Sequence, residues 1–131
     1  MRNLICCLLL VFSVACSNAP SPEEQAAQAA CGYYQHLANN EPIEFLEGKA
    51  GIDSLPNLHA EQLLQATRLY LSDMTNKHGG LREVRISDNV AKRDTLDRPV
   101  MYTFLILCFA DSTQEEVVVP MVEQNGQWLM K

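Results

Sequence analysis

Residues 99–131 read PVMYTFLILCFADSTQEEVVVPMVEQNGQWLMK, and this stretch decides the fold. Val100 to Ala110 is rich in β-branched and aromatic residues, Gln114 to Val122 repeats that character, and Gln127 to Lys131 closes the chain. Turn chemistry separates the three segments. Asn125-Gly126 is the strongest short hairpin signal, because a type I′ turn needs positive φ at both central residues, and Asp111-Ser112 is a more general turn initiator. The three segments are therefore predicted to form an antiparallel meander.

The central strand also carries a message about assembly. If Val100, Tyr102, Phe104, Ile106 and Cys108 face one way, then Met101, Thr103, Leu105, Leu107 and Phe109 face the other, since side chains alternate with period two. Both sets are apolar, so both faces of the sheet need cover. Helices upstream supply one cover. For the other the expectation is a second copy of the chain, a homodimer through the sheet around Leu105, Leu107 and Phe109 or their neighbours on the opposite register.

Upstream of the meander, Leu81 to Ser87 alternates Val84 and Ile86 with Arg85 and reads as a first strand, extendable through Val90 and Ala91. Residues 92–98 read as a charged loop, and Pro99 can open the next strand because its first amide need not be paired. Before that strand a helix is predicted from about Asn57 to His78, with Leu63, Ala66, Tyr70 and Met74 on one stripe and Gly79-Gly80 as its stop. Pro42 to Glu47 reads as one or two helical turns, broken by Gly48 and Gly51. Ser21-Pro22-Glu23-Glu24 marks the start of the first helix: a capping serine, a proline at the first helical position and acids against the positive end of the helix dipole. That helix is expected to reach about Asn39 and to bury Ala26, Ala30, Tyr33 or Tyr34, and Leu37. The predicted class is α+β, N-terminal helices packed on a curved antiparallel four-strand meander.

The first fifteen residues are a different kind of segment. One charge, Arg2, precedes the apolar run from Leu4 to Ala15, which reads as a signal peptide; a bilayer-spanning helix needs about 20 apolar residues. Cys16 follows the small residue Ala15, and residues 17–21 are small or polar. Ser13-Val14-Ala15-Cys16 resembles a bacterial lipobox, at which a peptidase cuts before a lipidated cysteine. Ser13 and Ala15 also suit the ordinary signal peptidase at the same bond. Cysteine parity favours the lipid: Cys6 and Cys7 leave with the leader, and lipidation of Cys16 leaves Cys31 and Cys108 as a possible disulfide pair, buried free thiols being the alternative. The domain organisation is thus a signal peptide at 1–15, a lipid-attachment cysteine and tether at 16–21, and one domain at 22–131. Ser17 is not aspartate, so the sorting pattern points to an outer-membrane lipoprotein facing the periplasm. The leader takes Arg2 with it, so 16 acids face one fewer than the 10 basic residues. That sign argues against nucleic acid and anionic lipid surfaces as partners.

A family resemblance rests on Ala29-Ala30-Cys31-Gly32-Tyr33-Tyr34-Gln35-His36-Leu37, on Gly79-Gly80-Leu81, and on Glu115-Glu116-Val117-Val118-Val119-Pro120-Met121-Val122 with Asn125-Gly126-Gln127-Trp128. With these the chain resembles small bacterial lipoproteins carrying a lumazine-binding-like domain of the nuclear transport factor 2-like (NTF2-like, cystatin-like cone) superfamily. The resemblance implies a helix-covered cone. It also implies that related isomerases and cyclases would place an acid or histidine inside it.

This sequence offers little of that chemistry. Val100 to Phe109 contains no Asp, Glu or His, and His36, His59 and His78 have no metal-ligand spacing. No catalytic residue, metal or cofactor is therefore assigned, and a non-enzymatic binding or scaffold domain is expected. Tyr34, Tyr70 and Tyr102, with Tyr33 and Trp128, are the candidates for an aromatic small-molecule pocket, and the same rings could instead be plain core. A connected, partly apolar cavity at Tyr34, Tyr70 or Tyr102 would favour ligand binding, and a filled cone would favour a scaffold.

Overall fold

A computed structural model describes residues 19–131; Cys16 and the leader, with the cleavage and lipidation readings placed on them, lie outside the described residues. The element order is α1 (Pro22–Ala38), α2 (Pro42–Glu47), a single 3₁₀ turn (Ile52–Ser54), α3 (Asn57–His78), β1 (Leu81–Arg93), β2 (Pro99–Phe109), β3 (Gln114–Gln124) and β4 (Gln127–Met130). The four strands form one sheet in the order β1-β2-β3-β4, every pair antiparallel.

Local chemistry accounts for the boundaries. Ser21 Oγ accepts from the Glu24 N–H at 3.2 Å, and Pro22 opens α1 with Glu23 and Glu24 in the first turn; a cap of this kind is worth about 1 kcal/mol. At the other end of the helical layer, Gly79 takes φ 79 and closes α3 by donating to Thr75 O, while Gly80 donates to Met74 O. Asn125 at φ 52 and Gly126 at φ 77 supply the two left-handed residues that the β3–β4 turn requires.

β1 is longer than the sequence reading allowed, and the reason is visible in its register. Shifts between Leu81 and Glu83 and between Ile86 and Asp88 each insert a residue, so a single alternation cannot be followed along the strand. Val84 pairs with Leu107, Asn89 with Thr103 and Ala91 with Met101, and pairing continues through Lys92 and Arg93. The expected charged loop shrinks to residues 94–98. Asp94 holds it closed, accepting from the Leu96 and Arg98 N–H groups at 2.9 Å each and from Arg98 Nε at 2.8 Å. Those bonds, led by the Arg98 backbone N–H, hold its carboxyl down to about 2.

The core lies between α1 and the sheet. Ala26 and Ala30 are fully buried, so the α1 backbone can approach β1 closely, and Leu105, Leu107, Met121 and Phe109 meet them from the strands. Each large side chain buried in this way contributes about 1.5–3 kcal/mol. This places Leu105, Leu107 and Phe109 under the helices, and they are not available to a partner. Period two then puts Tyr102, Phe104 and Ile106 on the outer face, beside Val118, which pairs with Phe104 and is 48% exposed. An outer pairing surface can use only the opposite register.

The two cysteines fall on either side of the sheet. Cys31 on α1 points its thiol at Val84 O, 3.6 Å away on the helix-covered face, whereas Cys108 alternates out of the Leu107 and Phe109 row and accepts from Arg85 Nη2 at 3.2 Å. Both are free thiols. With the sheet between them no bridge joins them.

Candidate functional site

α3 touches the sheet lightly, and the gap it leaves is the site. The stripe expected along it was Leu63, Ala66, Tyr70 and Met74, widened by Leu64, Thr67 and Leu71; of these Met74 and Thr67 are buried, Ala66 is exposed and Tyr70 is 38% exposed. A cavity of about 340 Å³ opens there, lined from α1 by Tyr34, from α2 by Phe45, from α3 by Ala66 and Tyr70, and from the sheet by Val119 and Met130. That size is at the small end of the range for small-molecule sites, about 300–1,000 Å³.

Two local arrangements build its floor. Tyr34 meets Phe45 edge to face, with ring centroids 5.2 Å apart and planes at 87°. After α2 the chain runs beside β4: Ala50 donates to Met130 O and Met130 donates to Gly48 O, both at 2.7 Å, so Lys49 forms a parallel bridge with Met130. Tyr33 locks this junction by donating its hydroxyl to Trp128 O at 2.7 Å while its ring packs on Gly48. The bridge delivers the Lys49 side chain to the cavity wall, which also includes Lys131 and contains no Asp or Glu.

The phenols in this cavity stay neutral. Desolvation pushes the Tyr34 hydroxyl up to about 12, with Tyr70 adding to the shift, and burial followed by the nearby Glu115 carboxylate raises Tyr70. Neither hydroxyl has a hydrogen-bond partner among the described residues, whereas Thr67 Oγ1 already donates to Leu63 O at 2.8 Å.

Of the three tyrosines named from sequence, the structure brings Tyr34 and Tyr70 together and separates Tyr102. Tyr102 lies on the outer face of β2 with Lys92 Nζ 5.8 Å from its ring centroid. It belongs to no part of this cavity, because its neighbours Met101 and Thr103 are the ones that point inward. Tyr33 and Trp128 serve as core and tie. Lys49 and Phe45 were not foreseen, while Ala66 was expected on the inward stripe of α3 and lines the cavity. Only the long-range bridge to Met130 places Lys49, and no local pattern announces such a contact.

No family profile matches the chain, and no curated protein does. Among solved structures, the chain is similar to the crystal structure of a Campylobacter jejuni protein described as a candidate NTF2-like transpeptidase, with TM-score 0.62 and 9% sequence identity over 79% of this chain and 94% of that one. The domain has the NTF2-like fold. In NTF2-like terms the helices cover the inside of the cone, and the Tyr34–Tyr70 cavity is part of the cone that side chains leave unfilled.

Two other features of the NTF2-like domain invite a chemical reading. His78 Nδ1 lies 2.8 Å from Asp111 Oδ2 and 3.1 Å from Thr113 Oγ1, and its ring stacks on Phe109 at 4.4 Å. The types match a hydrolytic triad, but the geometry does not: acid and hydroxyl meet the same ring nitrogen, and Thr113 Oγ1 donates to Asp111 Oδ1 at 2.5 Å. The cluster fastens the end of α3 to the β2–β3 turn, where Asp111 also donates its N–H to His78 O. A wider hollow of about 690 Å³ near the start of α1 is lined by Pro22, Pro99 and Trp128 together with charges of both signs, Glu23 and Glu123 against Arg98 and Lys131. Those charges define no single ligand chemistry. Among the described residues, no group of three His, Cys, Asp or Glu is placed to hold a metal, and no helix is long and apolar enough to cross a membrane.

Proposed function

We propose that this is an exported protein, tethered to the bacterial envelope by a lipid on Cys16, whose NTF2-like domain binds a small molecule without transforming it. The cavity between Tyr34 and Tyr70 carries the binding reading: it is connected, walled by aromatic and aliphatic side chains, and furnished with a few polar groups that have no internal partner. The leader, Ala15 before Cys16 and the polar residues 17–21 support export and the tether. Because α1 starts at Pro22, the tether would hold the domain at the membrane surface.

The same lining supports binding without transformation. The lining contains no Asp, Glu, His, Ser or Cys, its Thr67 hydroxyl is bonded to Leu63 O, and both of its phenols are neutral, an arrangement that supports holding a molecule rather than transforming it. The transpeptidase description of the Campylobacter protein therefore transfers no residue role to this cavity. The outer face of the sheet, with Tyr102, Phe104 and Ile106 half-buried and Val118 open, supports pairing with a second copy.

Native mass spectrometry of the protein isolated from bacterial membranes tests both parts. The expected result is a diacylated or triacylated N-terminal Cys16 and a bound small molecule that is lost in Ala66→Phe, a substitution that fills the cavity from α3. An unmodified soluble chain would refute the tether. A bound molecule retained by Ala66→Phe would refute the site.

A further inference from the structure

Building on that reading of the cavity, we infer that its ligand is a small aromatic carboxylate, its anionic end held by Lys49 and the Tyr34 hydroxyl. The chain carries 16 acids against 10 basic residues, yet the cavity wall has two lysines and no acid. Lys131 is already engaged, with Nζ 3.5 Å from Asp94 Oδ2. Lys49 has no ion pair among the described residues, and it is half-buried beside Met130 and Leu46. An ammonium at the cavity wall with no counter-ion beside it is open to pairing with an arriving anion.

The remaining polar groups select the anion. Tyr34 is a neutral phenol, so it donates a hydrogen bond and repels no anion; the same desolvation that keeps it protonated strengthens that bond. Tyr70 stands close to the Glu115 carboxylate and is therefore the less favourable donor, which places the anionic end toward Lys49. One free ammonium and one neutral donor match a monoanion. A phosphate dianion is best held by a bidentate guanidinium or by several cations together, and the wall offers no arginine and a second lysine already paired with Asp94. The body of the ligand follows from the rings: Tyr34 and Phe45 stand edge to face and Tyr70 lines the same cavity, so an aromatic body finds aromatic walls.

Calorimetric titration with 2-naphthoate and its neutral isostere 2-naphthamide tests this on the chain from Ser17 onward, which contains every element and the whole core described above. Naphthoate is expected to bind at least about tenfold more tightly than naphthamide, the difference expected of one charge-assisted contact. Lys49→Met should erase that preference, and Lys49→Arg should restore it. Circular dichroism of each variant reports that the fold is intact. Equal binding of the two probes by the parent chain would overturn the carboxylate assignment while leaving the cavity as a binding site. Failure of both probes to bind would overturn the cavity reading as well. A preference that survives in Lys49→Met would show that the anion sits elsewhere and would also overturn the assignment.

Discussion

Gly48→Ala should destabilise the domain in the parent chain and stabilise it slightly once Tyr33 is gone. A Cβ built on Gly48 would lie 2.5 Å from Tyr33 Cγ and 2.6 Å from Cε1, distances no real contact sustains. The near end of the ring is involved, so a small flexing of the side chain cannot relieve the clash; the ring must leave, and its hydroxyl loses Trp128 O. Overpacking costs about 1–3 kcal/mol and the lost hydrogen bond about 0.5–1.5 kcal/mol, so the substitution should cost about 2–4 kcal/mol. For a domain of this size that is a fall in Tm of about 10–20 °C. The backbone itself raises no objection, since Gly48 sits at φ −78 and ψ −5, where alanine is comfortable. In Tyr33→Ala the ring is absent, and alanine at 48 should gain about 0.4–1 kcal/mol by stiffening the unfolded chain. Thermal and urea unfolding of the four chains in this cycle measure the coupling. A cost for Gly48→Ala that is the same with and without the Tyr33 ring would refute the contact, and with it the account of how Lys49 reaches the cavity.

Two further outcomes follow from other parts of the molecule. Asp111 is held down to about 2 from 3.8 by the Thr113 hydroxyl, the Thr113 N–H and His78, so its contribution to stability is complete above the unfolded value and disappears as pH falls through that window. Tm measured from about pH 5 to about pH 2 should therefore decline less steeply in Asp111→Asn than in the parent; parallel curves would count against the clamp. Light scattering on the chain from Ser17 onward should give a dimer mass that Phe104→Asp, on the outer face of β2, converts to a monomer. A monomeric parent at tens of micromolar would end the pairing proposal.

The sequence was most legible where one local signal set the structure. Ser21 and Pro22 located the start of α1, Gly79 the end of α3, and Asn125-Gly126 the last hairpin, because each meets a backbone demand that few residues satisfy. It was least legible where two distant segments set the outcome together. The shifts in β1 depend on its pairing with β2, so alternation in the sequence could not locate them. Which face of β2 the helices cover depends on α1, and both faces are apolar; the register through Leu105 and the outer position of Tyr102 were decided by that packing. Tyr34 and Tyr70 were recognisable as candidates by residue type. Lys49 became one only through the bridge to Met130, far along the chain.

The central claim is that the space between Tyr34 and Tyr70 is a binding site, and protein-observed NMR with a library of small aromatic acids and amides tests it most directly. The account predicts that binding compounds shift the ring signals of Tyr34, Phe45 and Tyr70 and the methyl of Ala66, and leave Tyr102 on the outer face of the sheet unmoved. No perturbation of those signals at millimolar ligand, or perturbation centred on Tyr102, would contradict it.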